Sequence, residues 1–238
     1  MIIIPMLGQS SRFFTAGYAL PKYKLPLGGE TVFSKSVKSF ERLFASEPFL
    51  FLVRRDHNAI NFVGETVSRL GIKDYRIIEF NAETRGQAES VLLGTSGYEG
   101  SIPIVIFNID TIRHNFTWPE QESFGDGFIE VFESEGENWS FIEPGPDGRV
   151  LRTTEKERIS NLCSNGMYGF ARLLDFRNAY EEYKQQNRSV RGEIYIAPLY
   201  NLLIEKGMNI RYRTLKQGIT EHCGIPGDYE FLKEKFGV

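Results

Sequence analysis

The spacing of hydrophobic residues changes period along this chain, and each change marks an element. Ile2, Ile3 and Ile4 are contiguous and β-branched, the pattern of a strand buried on both faces. A polar turn follows, from Gly8 to Ser11. From Thr31, the apolar residues Phe33, Val37, Phe40 and Phe44 recur at helical spacing. Phe49–Val53 reads as a second buried strand. Ile60, Val63, Val67 and Leu70 mark a second helix that Gly71 is placed to end. Tyr75–Phe80 is a third strand, and Ala88, Val91 and Leu92 suggest a helix beginning near Gly86. Ile102–Ile109 is a fourth strand and the most apolar one.

Strand and helix alternate throughout this first half, which implies a mainly parallel sheet with right-handed crossovers. The second half is less regular. Gly127–Phe132, Trp139–Glu143, Arg149–Thr153, Gly166–Ala171 and Ile210–Leu215 read as strands, with a strong turn at Pro144–Gly148. Phe176, Ala179, Tyr180 and Tyr183 mark one helix, Ile196, Leu199 and Leu203 another, and Pro226 opens a terminal one. No repeat, low-complexity tract or linker divides the chain. The expected fold is one α/β domain, a three-layer, Rossmann-like, mixed and mainly parallel sheet.

Composition narrows the partners. The chain has 238 residues, 41% hydrophobic and 25% charged, with a net charge of −3, so it can build a core without staples. A general nucleic-acid binder needs a basic face, and this balance argues against one. Small phosphorylated ligands need only a few local cations. Cys163 and Cys223 form neither a CxxC pair nor a disulfide framework. The apolar opening is too short for a signal peptide, and no apolar run approaches the roughly 20 residues that span a bilayer. A cytoplasmic protein with no membrane partner is the expectation, and a homo-oligomer is compatible with it.

The most informative stretch runs from Met6 to Lys24, directly after the first strand. In open α/β sheets, ligands collect beyond the carboxyl ends of strands. Gly8 lets backbone approach a ligand. Backbone N–H groups and the hydroxyls of Ser10 and Ser11 can donate to phosphate oxygens. Arg12 adds a planar charged fork and Lys22 a compact charge. Read locally, the same residues make a polar turn with two surface cations. Neither GxxxxGK[ST] nor a GxGxxG after the first strand is present.

Gly8, Ser11, Arg12, Pro21 and Lys22 resemble the opening signature of the sugar-nucleotide pyrophosphorylases, nucleotidyltransferases with a GT-A-like fold. The resemblance implies that Leu7, Gly8, Gln9, Ser10 and Ser11 wrap a nucleoside triphosphate while Arg12 and Lys22 hold its phosphates. Gln9-Ser10 and the aromatic insert Phe13–Leu20 depart from the family pattern. Gly86-Gln87-Ala88 resembles its base-reading segment, and a glutamine offers the donor and acceptor that a pyrimidine edge requires. Asn108-Ile109-Asp110 resembles the strand end that carries a metal-binding aspartate, and hard oxygen suits Mg²⁺.

Further along, Thr154-Glu155-Lys156 resembles a Glu-Lys motif whose lysine grips the acceptor phosphate. Asn165 and Gly166 lie on a strand similar to the family's next one, and the resemblance implies that they bind the acceptor. Glu193, in Gly192–Leu199, resembles a glutamate that binds acceptor hydroxyls. Ala197-Pro198 replaces the family's Thr-Asp pair, which makes a non-sugar acceptor plausible. His222 stands where many members have a second metal-binding aspartate. Three alternatives stay open, His222, adjacent Glu221 or no second ligand, and Glu221 ranks ahead of His222 because a lone histidine is more often structural.

The resemblance implies an Mg²⁺-dependent transferase joining a nucleoside triphosphate to a small phosphorylated acceptor. A nucleotide-binding half would span about 1–112 and an acceptor half about 113–238. It extends to capsule-locus cytidylyltransferases that activate phosphorylated amino acids such as glutamine phosphate. Two alternatives stay open: a glycosyltransferase using a finished nucleotide-sugar, whose D-x-D motif is only half matched, and an inactive nucleotide-binding module.

Overall fold

The isoleucine run is a strand buried at every position, in a computed structural model that describes residues 1–120 and 124–237. Along the chain the described strands are β1 (Ile2–Met6), β2 (Pro26–Leu27), β3 (Glu30–Thr31), β4 (Phe49–Arg54), β5 (Tyr75–Phe80), β6 (Ile104–Phe107), β7 (Thr111–Arg113), β8 (Gly127–Glu133), β9 (Ser140–Pro144), β10 (Val150–Glu155), β11 (Leu162–Phe170), β12 (Ile210–Thr214) and β13 (Thr220–His222). The described helices are α1 (Ser11–Thr15), α2 (Val32–Val37), α3 (Ala59–Leu70), α4 (Gln87–Gly94), α5 (Leu173–Gln185), α6 (Leu199–Glu205) and α7 (Pro226–Phe236). The α/β class with a mixed sheet is as expected. Its described residues cluster into two compact units.

One unit comprises Met1–Ile3, Glu83–Phe107 and Trp118–Gln217. Here Ile2 and Ile3 pair in parallel with Val105 and Ile106 of β6. On its other side, β6 meets β11 antiparallel. β11 also pairs antiparallel with β8 and β9, and β8 runs parallel to β12. Antiparallel pairing thus enters with β11. Packing around it is tight: a Cβ at Gly169 would meet the Phe128 ring at 2.1 Å, and the Phe170 and Tyr200 rings stack 4.5 Å apart.

The other unit comprises Ile4–Ala82, Asn108–Thr117 and Gly218–Val238. β4 and β5 pair in parallel, Phe49 opposite Tyr75 through Arg54 opposite Phe80. Gly71 ends α3 with φ 80°, a backbone shape that glycine reaches without strain. β13 pairs antiparallel with β7. A cluster of Phe13, Leu25, Leu27, Val32, Ile112, Cys223, Tyr229 and Leu232 forms the local core, with Tyr18 against it. The aromatic insert is therefore packed, with Phe13 edge-on to both Tyr18 and Tyr229.

Several boundaries differ from expectation. The helix from Thr31 stops at Val37 and tightens into a 3-10 turn over Lys38–Leu43, broken at Phe40 (φ −107°, ψ 19°). The fourth strand ends at Phe107, so Asn108 and Asp110 lie on a turn. β11 begins at Leu162, and α6 begins at Leu199, beyond Ile196. The short elements α1, β2, β3, β7 and β13 carry too few residues to show a period. Among the described residues, no helix is long and apolar enough to cross a membrane.

Candidate active site

The loop after β1 is set by one residue. Gly8 and Gln9 are exposed, and Ser10 takes a left-handed conformation (φ 53°) that is uncommon for a non-glycine residue. The Ser10 carbonyl accepts the Phe13 amide at 2.9 Å and so opens α1. Its Oγ accepts the Lys22 backbone N–H at 3.1 Å. That bond pins Lys22, whose Nζ reaches Asp110 Oδ2 at 2.5 Å. Leu7 is half-buried, and Ser11 and Arg12 are exposed on α1. The expected phosphate loop thus presents open backbone, one hydroxyl already in use as an acceptor, and two cations.

Asp110 lies in the turn where β6 gives way to β7. The turn closes with Thr111 N–H donating to the Asn108 carbonyl at 3.2 Å. Cys223 N–H donates to the Asp110 carbonyl at 2.7 Å. Gly224 leaves room beside the carboxylate, since a Cβ there would stand 3.3 Å from Oδ2. Burial pushes the Asp110 carboxyl up, but the Lys22 ammonium, and then His222, hold it below its usual range. Burial drives His222 down to about 4 against the pull of Asp110 and Glu221, so it is neutral at pH 7. Asp228, in the first turn of α7, is raised by burial and by the Asp110 charge.

These residues fit a divalent cation of a particular kind. Among the described residues, no group of three or more His, Cys, Asp or Glu side chains could hold a metal by itself. Mg²⁺ is commonly held by one or two carboxylates, with waters and substrate phosphates as the remainder. Asp110, with no side chain from Gly224 against its carboxylate and with neutral His222 nearby, suits such a shared site. Glu221 is not brought to it. Successive strand residues face opposite ways, and the Glu221 carboxylate meets Lys235 Nζ and, at 3.3 Å, His114 Nε2. Glu221 is thus already paired, and His222 is the β13 residue whose charge, when protonated, acts on Asp110.

The other expected site residues belong to the first unit. Gly86 (φ 109°) precedes α4, with Gln87 half-buried at the helix start. Thr84 Oγ1 and Ser90 Oγ each donate to the Gly86 carbonyl at 3.1 Å. The turn is bonded to the Glu193 segment: Ile194 N–H donates to the Arg85 carbonyl at 2.8 Å, and Ala88 N–H to the Ile194 carbonyl at 3.2 Å. Lys156 is left-handed (φ 57°), and its Nζ donates to Tyr195 Oη while lying 4.3 Å from that ring's centre. Glu155 accepts from Ser140 Oγ. Burial raises its carboxyl, the Glu193 charge adds to that, and Ser140 and Lys156 oppose it.

Asn165 is engaged within the sheet. It is 1% exposed, donates to Glu130 Oε2 at 3.1 Å and accepts the Met167 amide at 3.0 Å. With Gly166 (φ 89°) it shapes the irregular register of β11 between Ser164 and Tyr168, and its amide is engaged in the strand rather than offered to a ligand. Tyr195 and Ser140 were missed, because a single Tyr or Ser on a strand or loop carries no spacing signal. Ala197, in the altered pair, is buried, and its carbonyl accepts from Thr153 Oγ1 at 2.6 Å.

No protein-family model matches the chain, and no curated protein does. Solved structures do. A nucleoside-diphosphate-sugar pyrophosphorylase from Vibrio cholerae RC9 is 47% identical, with a TM-score of 0.93 over 98% of this chain and 100% of that one. The inositol-1-phosphate CTP transferase from T. maritima is 15% identical, with a TM-score of 0.74 over 99% of this chain and 95% of that one. A UDP-glucose pyrophosphorylase complexed with UDP-glucose is 16% identical, with a TM-score of 0.76 over 99% and 97%. At such identities the last two show the shared fold alone.

Proposed function

We infer the reaction from one premise: the chain belongs to the nucleoside-diphosphate-sugar pyrophosphorylase family. It is a nucleotidyltransferase. Our finer reading is that it joins CTP, or another pyrimidine triphosphate, to a small phosphorylated acceptor. That acceptor is a sugar 1-phosphate or a phosphorylated amino acid or alcohol. The product would serve capsule or surface-polysaccharide synthesis in the cytoplasm. The observation that carries the phosphate-transfer chemistry, as distinct from the choice of base and acceptor, is the Lys22–Asp110 pair beside the Gly8–Arg12 loop, at 2.5 Å.

In this reaction an acceptor phosphate oxygen attacks the α-phosphorus in line. The bond from the α-phosphorus to the β-phosphate oxygen breaks, and pyrophosphate leaves. The acceptor phosphate is ionised at neutral pH, so no general base is needed. The protein must bring two repelling anions together and neutralise the charge that develops. Arg12 and Lys22 take the pyrophosphate oxygens, with the backbone of Leu7–Ser11 around them. Gln87 reads the base edge, and Asn108 lies on the Asp110 turn. Lys156 takes the acceptor phosphate, with Glu155 and Glu193 beside it for the rest of the acceptor. A divalent cation held by Asp110, with His222 adjacent, would supply electrophilic stabilisation of phosphate oxygens.

A screen of the four triphosphates against sugar 1-phosphates and phosphorylated amino acids and alcohols, scored by pyrophosphate release, tests this. A reacting pair is expected among the pyrimidine nucleotides. Lys22→Ala should lower turnover by about 10²–10³-fold with folding retained. Wild-type turnover in that variant sinks the assignment. Transfer from a finished nucleotide-sugar without pyrophosphate would instead indicate a glycosyltransferase. Nucleotide binding with no turnover across the panel would indicate an inactive module.

A further inference from the structure

The two partners in the Lys22–Asp110 pair cannot both serve their substrates while they hold each other. Nζ lies 2.5 Å from Oδ2, and an oxygen in that contact cannot also accept a divalent cation, which would crowd a like charge. The contact is built from both sides. Ser10 Oγ fixes the Lys22 backbone at 3.1 Å, and Cys223 N–H fixes the Asp110 backbone at 2.7 Å. The two side chains are only 21% and 20% exposed, so salt screens the attraction poorly. Gly224 stands by the same carboxylate oxygen and brings no side chain that could displace the ammonium.

Resting on the reading of Asp110 as the metal ligand, we propose that Lys22 masks Asp110 in the free protein and that the triphosphate unmasks it. Phosphate oxygens draw the ammonium away, and the carboxylate then accepts the cation that the same phosphates help to hold. Metal entry thereby depends on nucleotide. By linkage, metal and nucleotide strengthen each other's binding by the same factor. A lone carboxylate guarded by a lysine does not retain a stray divalent ion between turnovers.

Mn²⁺ is the probe, with its free concentration read by electron paramagnetic resonance in the absence of acceptor. The wild-type protein alone should bind it weakly, and adding CTP, or each other triphosphate in turn, should tighten it. Lys22→Met should bind Mn²⁺ about tenfold tighter or more without nucleotide, although it is the poorer catalyst. Lys22→Arg keeps the charge and should stay weak. Adding Asp110→Asn to Lys22→Met should abolish the gain. Circular dichroism checks folding, and Lys22→Gln replaces the Met variant if that one fails to fold. Equal Mn²⁺ affinity in wild type and Lys22→Met, or a gain that survives Asp110→Asn, overturns the proposal. The Mn²⁺ measurements need no turnover, so failure of the transfer reaction would leave them decisive.

Discussion

Gly86→Ala tests how the turn before α4, which we propose reads the base, is held. Gly86 adopts φ 109° and ψ −179°, a region essentially closed to residues with a Cβ. An added Cβ would meet the Ile194 carbonyl oxygen at 2.8 Å, its nitrogen at 3.0 Å and Glu193 Cβ at 3.2 Å. The first two are backbone atoms in the bonds that join Arg85 and Ala88 to Ile194, so they cannot swing aside as a flexible side chain would. The peptide cannot turn over easily either, because Thr84 and Ser90 hold its carbonyl. Backbone strain costs about 1–3 kcal/mol, and losing one flanking hydrogen bond costs about 1 kcal/mol more. The expected destabilisation is therefore about 2–4 kcal/mol, read by urea unfolding. Gly8→Ala is the control, since a Cβ there meets nothing within 4 Å. Steady-state kinetics should show KM rising for both nucleotide and acceptor, because the turn is bonded to the Glu193 segment. If Gly86→Ala is as stable as Gly8→Ala and leaves both KM values unchanged, this account of the turn is wrong.

Two further substitutions separate structure from chemistry on β13. Glu221→Gln should weaken the contacts with half-exposed Lys235 and His114 and cost about 1–2 kcal/mol, while leaving Mn²⁺ affinity in the presence of CTP unchanged; a large loss of metal affinity would restore Glu221 as a ligand. His222 bears on pH. Its folded value of about 4 lies below the ordinary 6.5, so the unfolded chain takes up the proton first. The stability present above pH 6.5 is then lost as pH falls toward 4, by up to roughly 3 kcal/mol. His222→Gln should flatten the pH dependence of unfolding across that window, and an unchanged slope would refute the origin assigned to it.

The elements legible in the sequence are those with a full period. β4, β5, α3 and α5 each repeat their apolar spacing several times, and their observed limits lie close to the predicted ones. The misread elements have a physical reason in common. Phe40 and Phe44 continue a helical spacing from Phe33, yet the chain tightens at Lys38 because these rings are placed by tertiary contacts. Phe40 packs edge-on to Phe49 and Phe116, and Phe44 to Phe49. Tertiary packing overrode local preference there. Residues 108–110 read as the end of the most apolar strand, but the strand itself ends at Phe107.

The candidate site divides along the same line. Lys22 and Asp110 are 88 positions apart, and only their separate resemblance to motifs joined them before the structure placed Nζ on Oδ2. Asn165 looked like an acceptor group because its motif matched, but motif position says nothing about which way an amide points. Glu130, wholly buried and paired with Arg213 at 3.8 Å, claims it. The sharpest case is β13. Glu221 and His222 are neighbours, and composition alone favours the carboxylate as a metal ligand. A strand turns one of two neighbours away from any given point, so the choice between them is a matter of register rather than of chemistry. The register pairs Glu221 with Ile112 and His222 with Thr111, next to the turn that carries Asp110. A strand of three residues shows no alternation that could fix its facing beforehand. In the register adopted, Glu221 meets Lys235 and His114, and the charge of protonated His222 acts on Asp110.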